Sequence, residues 1–446
     1  MYSQEIESLL KSKKIKIGDR VRIAKKDAVH EGLLMPRIEL GDTSSIVIKL
    51  DNGYNIGIKF EKGLNVKLLE RGKPIRFLPS KAVVKKDAEK PNVAILGCGG
   101  TIASRIEYTT GAVFPAFSPA DLLLSFPEIK DIANIKSRKL FDLFSEDITA
   151  EHWKIIAREV EKEIKAKADG IVLMHGTDTL HYTSAALSFM LQNLPVPIVL
   201  VGAQRSSDRG SSDNAVNLVC STIAANSDIS EVTVCMHGSS SDDFCFVHQG
   251  TKVRKLHTSS RDAFRSVNVL PYAKINYPSK VVEYLRTDYR KRENRALKVD
   301  DKINENIGLI YIYPGIKPEN VESIVRMYDG VVVAATGLGH VSTNPSNDKL
   351  ARGLVPVLKN LINSGIPVVF APQTINGRLN LNVYSAGRIL NEIGVIGHGC
   401  DWTPETALVK LMFVTGHVKE MDKIREMMLT NIAGEIGKRT EVESFG

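Results

Sequence analysis

A chain of 446 residues with 43% hydrophobic content is too long for one core of ordinary size and apolar enough to fill two or three, so it reads as a soluble multidomain protein. Its five cysteines are odd in number and none lies in a Cys-x-x-Cys pair, which argues against a disulfide framework and a structural zinc site; its apolar runs fall short of the roughly 18 residues of a membrane span. The formal net charge of +8 lies wholly in residues 1–90, which hold 20 Lys and Arg against 12 Asp and Glu. A basic module on a neutral body fits a phosphate-rich partner such as RNA, and fits a lysine-coated solubilising face equally well.

The opening stretch, Met1 to Lys14, mixes acids, leucines and lysines without the apolar core of a signal peptide, so the expected location is the cytoplasm, away from any membrane. From Ile15 to Leu78 come short strand-like runs, 21–24, 45–50, 54–60 and 64–69, broken by Gly18-Asp19, Gly41-Asp42, Asp51-Asn52-Gly53 and Gly63. Asn52-Gly53 between two such runs predicts a hairpin. Residues 1–85 are thus expected to form a basic small β-barrel domain, and 81–91, rich in lysine and closed by Pro91, a linker.

From Asn92 strand and helix alternate: strand 93–96, helix 150–166, strand 170–174, helix 179–191, strand 197–202, helix 212–225, strand 231–236. This predicts a doubly wound α/β domain over 91–290. The charged stretch 286–306 reads as a second linker. Strand 307–313, helix 319–327, strand 330–335, helix 350–363 and strand 366–370 then predict a smaller α/β domain over 300–446. Two helices finish it, the first announced by Thr403-Pro404-Glu405, and the methionines of the last, Met421, Met427 and Met428, read as core.

Two of the buried runs end in glycine turns that present a threonine, Thr101 after Gly97-Cys98-Gly99-Gly100 and Thr177 in His175-Gly176-Thr177-Asp178-Thr179. Ligands of open α/β sheets bind outside the carboxyl ends of strands, so both hydroxyls are expected at one crevice. A dinucleotide loop would need glycine where Ile102 stands, and no phosphate-binding Gly-x-x-x-x-Gly-Lys loop occurs. A threonine is a poor nucleophile until a base takes its proton. Lys252, Arg254 and Lys255 crowd the loop 250–260 as candidates, with surface lysines as the plain alternative; Asp178 suits a substrate ammonium or a helix cap. Cys98 is a rival nucleophile or a small buried residue, and His398, Cys400 and Asp401 bunch in a glycine turn without a distant partner that would complete a metal site.

Gly99-Gly100-Thr101-Ile102-Ala103 and His175-Gly176-Thr177-Asp178-Thr179 resemble the paired signatures of the bacterial-type L-asparaginase/glutaminase family, and the similarity runs from about Asn92 to the C-terminus. The resemblance implies an α/β fold: an asparaginase-like two-domain doubly wound body, here with an extra N-terminal small β-barrel. It implies Thr101 as nucleophile, Thr177, Asp178 and Lys255 as its proton relay, and Tyr108 as the tyrosine of a lid that is several residues shorter here. Lys255 matches because the family spaces its lysine nine residues before the Phe of a stretch seen here as Phe264-Arg265-Ser266-Val267-Asn268. Ser145 and Glu146 fall where the substrate's α-groups are bound, the family often having Gln at the second, with Gly100 and Gly176 as substrate-facing turns and no metal.

The segment 202–209, the loop Thr336–His340 and the basic extra domain are similar to the branch of the family that forms the D subunits of archaeal glutamyl-tRNA(Gln) amidotransferases. Free asparaginases carry an asparagine near His340, on a loop that reaches the neighbouring protomer's site. That branch implies hydrolysis of glutamine, or asparagine, to supply ammonia to an E subunit, which converts Glu-tRNA(Gln) to Gln-tRNA(Gln). ATP and Mg2+ are expected in the E subunit and no cofactor in this chain. A homodimer core within a heterotetramer of two D and two E subunits is also implied. A free-standing cytosolic L-asparaginase, or a non-enzymatic RNA-binding protein on a degenerate hydrolase scaffold, are the competing readings.

Overall fold

Alternation decides the N-terminal domain. In Arg20–Lys25 and Ser45–Lys49 every second side chain (Val21, Ile23, Ile46, Ile48) is fully buried, the period-2 pattern of strands with one face on a core. The computed structural model describes residues 2–25, 28–36, 43–50, 55–72, 87–100, 104–106, 113–115, 126–205, 212–344, 346–440 and 442–444. Five antiparallel strands lie in the order Asn55–Lys59, Ser45–Lys49, Ala28–Leu34, Arg20–Lys25, Asn65–Glu70. The pairing of Lys49 with Asn55 is the hairpin expected around Asn52-Gly53, although those two residues lie outside the described set, as do most of the residues read as the linker 81–91. A helix that the sequence pattern did not reveal, Gln4–Ser12, closes the domain. Ser3 caps it, and its stripe Ile6 and Leu10 joins the strands' core.

The body is built on an eight-stranded sheet. Its order is Val282–Tyr284, Ala273–Asn276, Phe244–Gln249, Val232–His237, Ile198–Val201, Gly170–Met174, Asn92–Gly97, Asn134–Lys139. The five strands from Val232–His237 to Asn134–Lys139 pair in parallel, and the other three extend the sheet antiparallel. Helices Ala150–Lys165, Leu180–Met190 and Asn214–Ala225 pack against it. The strands at its centre are buried on both faces and therefore read as unbroken apolar runs.

The stretch 286–306 is more than a spacer. Arg292 donates to the carbonyls of Asp169, Ala225 and Ser227, and Lys298–Val299 pairs with Leu191–Gln192, so this segment is strapped across the amino-terminal end of the sheet. Beyond it, three parallel strands, Ile307–Tyr311, Gly330–Ala335 and Val368–Pro372, form a second sheet. Helices Pro318–Val325 and Val355–Asn363 pack together beside it. The helix expected at 350–363 starts at Val355, with Pro356 in its first turn. Helix Pro404–His417 lies between the two sheets, touching helix Leu180–Met190 on one side and the second sheet on the other. Among the described residues no helix is long and apolar enough to cross a membrane.

Candidate active site

Strands Asn92–Gly97 and Gly170–Met174 are neighbours, with Gly97 opposite Met174, yet the chain visits Asn134–Lys139 on the far side of the first before it returns to the second. Strand order reverses here. The loops leaving the two carboxyl ends diverge around a crevice, the usual ligand site of an open α/β sheet.

Three backbones meet in that crevice. Gly99 and Gly100 both have positive φ, +102° and +81°. A β-carbon on Gly99 would run into the Leu143 carbonyl; one on Gly100 would stand 2.6 Å from the Gly176 amide nitrogen. A β-carbon on Gly176 would come within 2.8 Å of the Ser145 β-carbon. Glycine is required because no side chain fits between turns packed this closely. Ser145, almost fully buried, ties the second turn to the 143–145 segment: its hydroxyl accepts from the Asp178 amide at 3.2 Å and its carbonyl from the Thr179 hydroxyl at 2.5 Å. Glu146 follows it in the short turn Ser145–Asp147, exposed to solvent.

Lys255 enters from the other side. It ends the strand Val253–Lys255, which pairs with Phe264–Ser266, and its Nζ lies 2.9 Å from Thr177 Oγ1 and 2.7 Å from Asp178 Oδ1. Nζ donates to both. Its side chain is only 9% exposed against 65% for Asp178, so the pair opens to solvent on the carboxylate side. The other two cations of this loop are engaged elsewhere: Lys252 is buried against Asp401 at 2.8 Å, and Arg254 binds Glu405 at 2.8 Å. Only Lys255 of the three joins the threonine.

A polar strut lies beneath the turn, and nothing in the sequence pattern foretold it as a unit. The Trp153 indole donates to Thr183 Oγ1 (3.0 Å), the Thr183 hydroxyl to His175 Nε2 (3.0 Å), and His175 Nδ1–H to the Gly176 carbonyl (2.7 Å). The indole and the carbonyl admit one direction each, which fixes the tautomer. Burial pushes the His175 imidazole down to about 4, so the ring is neutral. Its position at the head of His-Gly-Thr-Asp-Thr was the only signal in the sequence.

Thr101 and Tyr108 lie outside the described residues. Cys98 is wholly buried and its thiol is pushed up to about 12 by that burial, which removes it as a rival nucleophile. His398 holds the Leu381 amide and the Asn382 side chain, Asp401 is bound by Lys252, and no group of metal-binding residues occurs among those described. His340 closes a turn with Thr336 and sets its ring against Tyr384 at 5.4 Å.

Three family models match the chain: "GatD N-terminal domain" over residues 15–69, "Asparaginase, N-terminal" over 92–289 and "Glutaminase/Asparaginase C-terminal domain" over 306–428. The D subunit of the glutamyl-tRNA(Gln) amidotransferase of Pyrococcus furiosus is 50% identical over 446 residues, covering 99% of both chains; its namesake in Methanothermobacter thermautotrophicus is 46% identical over 100% of this chain and 99% of its own. Among solved structures, the thermostable L-asparaginase from Thermococcus kodakarensis superposes with a TM-score of 0.70 at 32% identity, and L-asparaginase I from Vibrio cholerae with 0.66 at 28%. Each match covers 78% of this chain and 99% of the other. With the asparaginase fold in its body and a full-length match that includes the N-terminal β-domain, the chain belongs to the family of glutamyl-tRNA(Gln) amidotransferase D subunits.

Proposed function

We propose that this chain is the glutaminase component of a tRNA-dependent amidotransferase, with ammonia as its useful product. The observation that supports this most directly is Lys255 bridging Thr177 and Asp178 at the end of the strand next to the one that leads into Thr101. In this reading Thr101 Oγ attacks the side-chain amide carbon of glutamine. Its proton passes to the Thr177 hydroxyl, which hands its own to Lys255 in the neutral amine form, and Asp178 balances the ammonium that results. Backbone N–H groups of the packed glycine turns stabilise the oxyanion. Collapse of the tetrahedral intermediate breaks the C–N bond, and the nitrogen takes up the proton and leaves as ammonia. Water then cleaves the ester on Thr101 to give glutamate. Ser145 and Glu146 hold the substrate's α-groups, with Asp178 as a second anion for the ammonium, and Tyr108 closes the lid.

Making an amide on Glu-tRNA(Gln) requires carboxylate activation, and no phosphate-binding loop is present in this sequence. The reading therefore assigns ATP and Mg2+ to an E-type partner, and the assembly to a heterotetramer around a homodimer of this chain. The basic N-terminal domain suits tRNA or that partner. The test is ammonia release from glutamine by the chain alone, then with the partner and Glu-tRNA(Gln), with Thr101→Ala as control. Activity that needs both additions and disappears in Thr101→Ala supports the reading. Strong unassisted activity on asparagine overturns it in favour of a free asparaginase, and unchanged complex activity in Thr101→Ala overturns it in favour of a binding protein.

A further inference from the structure

We propose that the C-terminal lobe sets the reach of Lys255, with Asp401 and Glu405 acting as positioning residues that hold the two cations flanking it. The inference rests on the role given to Lys255 above and goes beyond it. Residues 251–255 are zipped on one edge to Phe264–Ser266 by backbone pairing, continued by the Val267 amide to the Lys252 carbonyl (2.7 Å) and the Leu256 amide to the Ala263 carbonyl (2.7 Å). Further contacts of this segment come from the C-terminal lobe. Thr406 Oγ1 donates to the Thr251 carbonyl at 3.0 Å, and Thr251 Oγ1 to the Ala433 carbonyl at 3.1 Å. Lys252 Nζ meets Asp401 Oδ1 at 2.8 Å and the Asp401 carbonyl at 3.1 Å, with both side chains at zero exposure. Arg254 places Nε and a terminal nitrogen on Glu405 Oε1, each at 2.8 Å.

These contacts form a clasp on Thr251, Lys252 and Arg254, and Lys255 is the next side chain along. The clasp is itself fastened: Asp401 Oδ1 accepts the Gly437 amide at 2.8 Å, the Asp401 carbonyl accepts Asn268 Nδ2 at 2.8 Å, and Arg378 lies 3.4 Å from Asp401 Oδ2. A buried ion pair with this much support restricts the backbone far more than an exposed one, because separating the charges means leaving them in a low-dielectric interior. Lys255 has to keep hydrogen-bond contact with two acceptors at once, and small displacements of catalytic groups are costly in rate.

The test compares Glu405→Gln, Asp401→Asn, Lys255→Ala and the double variant Lys255→Ala/Glu405→Gln in the full chain with its E-type partner and Glu-tRNA(Gln), reading glutamine-dependent ammonia release and thermal unfolding. Glu405→Gln is expected to fold and to lower kcat by about 10- to 100-fold with little change in KM. In the Lys255→Ala background the same change is expected to add almost nothing, which a purely structural role would not produce. Should Asp401→Asn fail to fold, Glu405→Gln decides alone. Wild-type kcat in a folded Glu405→Gln, or the same fold-loss in both backgrounds, overturns the clasp while leaving Lys255 its role. Full activity in Lys255→Ala overturns the role of Lys255 and the clasp with it.

Discussion

Gly100 and Gly176 meet backbone to backbone: a β-carbon on the first would stand 2.6 Å from the amide nitrogen of the second. They come from loops after adjacent parallel strands, so this contact sets the width of the crevice between Thr177 and the turn that leads to Thr101. Gly100→Ala has to separate the turns as well as adopt a φ of +81°. We expect a loss of at least about 100-fold in kcat/KM with a stability cost of about 1–3 kcal/mol. Steady-state ammonia release and urea unfolding measure the two separately; wild-type kcat/KM in the alanine variant would refute the contact's importance.

Lys255 and Lys252 should respond in opposite ways. Lys255→Met removes the nitrogen bound to Thr177 and an ion pair whose carboxylate is largely exposed, so activity should fall by about 100- to 10,000-fold while stability changes by less than about 1 kcal/mol. Lys252→Met leaves Asp401 buried beside an apolar chain and should destabilise by about 3–5 kcal/mol. Equal stability losses in the two variants would contradict this assignment.

Three buried imidazoles give the stability a defined pH dependence. Burial pushes His175 and His181 down to about 4 and His248 to about 3, against an ordinary value near 6.5. The unfolded chain therefore binds more protons than the folded one between these limits. Stability is fully present above about 6.5 and is lost as pH falls toward 4, by about 3 kcal/mol for each ring held at 4. The urea midpoint should drop across that window. His175→Asn should flatten the slope, and a slope that survives unchanged would exclude His175 as a contributor.

Thr183→Val cuts the strut beneath the turn. Trp153 Nε1 and His175 Nε2 both lose their partner in a dry environment, at a cost of about 1–3 kcal/mol for each unsatisfied group. Because His175 Nδ1 still holds the Gly176 carbonyl, kcat should fall less than in Gly100→Ala. Denaturation and ammonia release on the same preparation check both expectations.

The central strands were legible in the sequence because they are buried on both faces: Gly170–Met174 and Gly330–Ala335 have the bounds read from their apolar runs alone. Strand Ala28–Leu34 was not, since its Gly32 and Glu31 look like a turn. Gly32 is placed there because a β-carbon would run into the Lys49 carbonyl across the sheet. The antiparallel extension from Phe244–Gln249 outward was missed because period 2 and a helix–strand alternation give no hint of which sheet a strand will join. Within the site, the two threonine turns stood out by their glycines. Lys255 did not stand out from Lys252 and Arg254 by its local sequence, because what separates the three is the partner each meets, and for Lys252 and Arg254 that partner lies 149 and 151 residues further on.

That distance along the chain has a bearing on biosynthesis. The ribosome releases both threonine turns, the strand of Lys255 and the whole eight-stranded sheet well before it makes Asp401, Glu405 and the 433–437 segment that fasten residues 249–254. A nascent chain with a complete sheet thus holds Thr101, Thr177, Asp178 and Lys255 but not the residues that grip Lys252 and Arg254. If Asp401 and Glu405 hold the lysine as proposed, its setting is complete only once the chain has been made through Gly437.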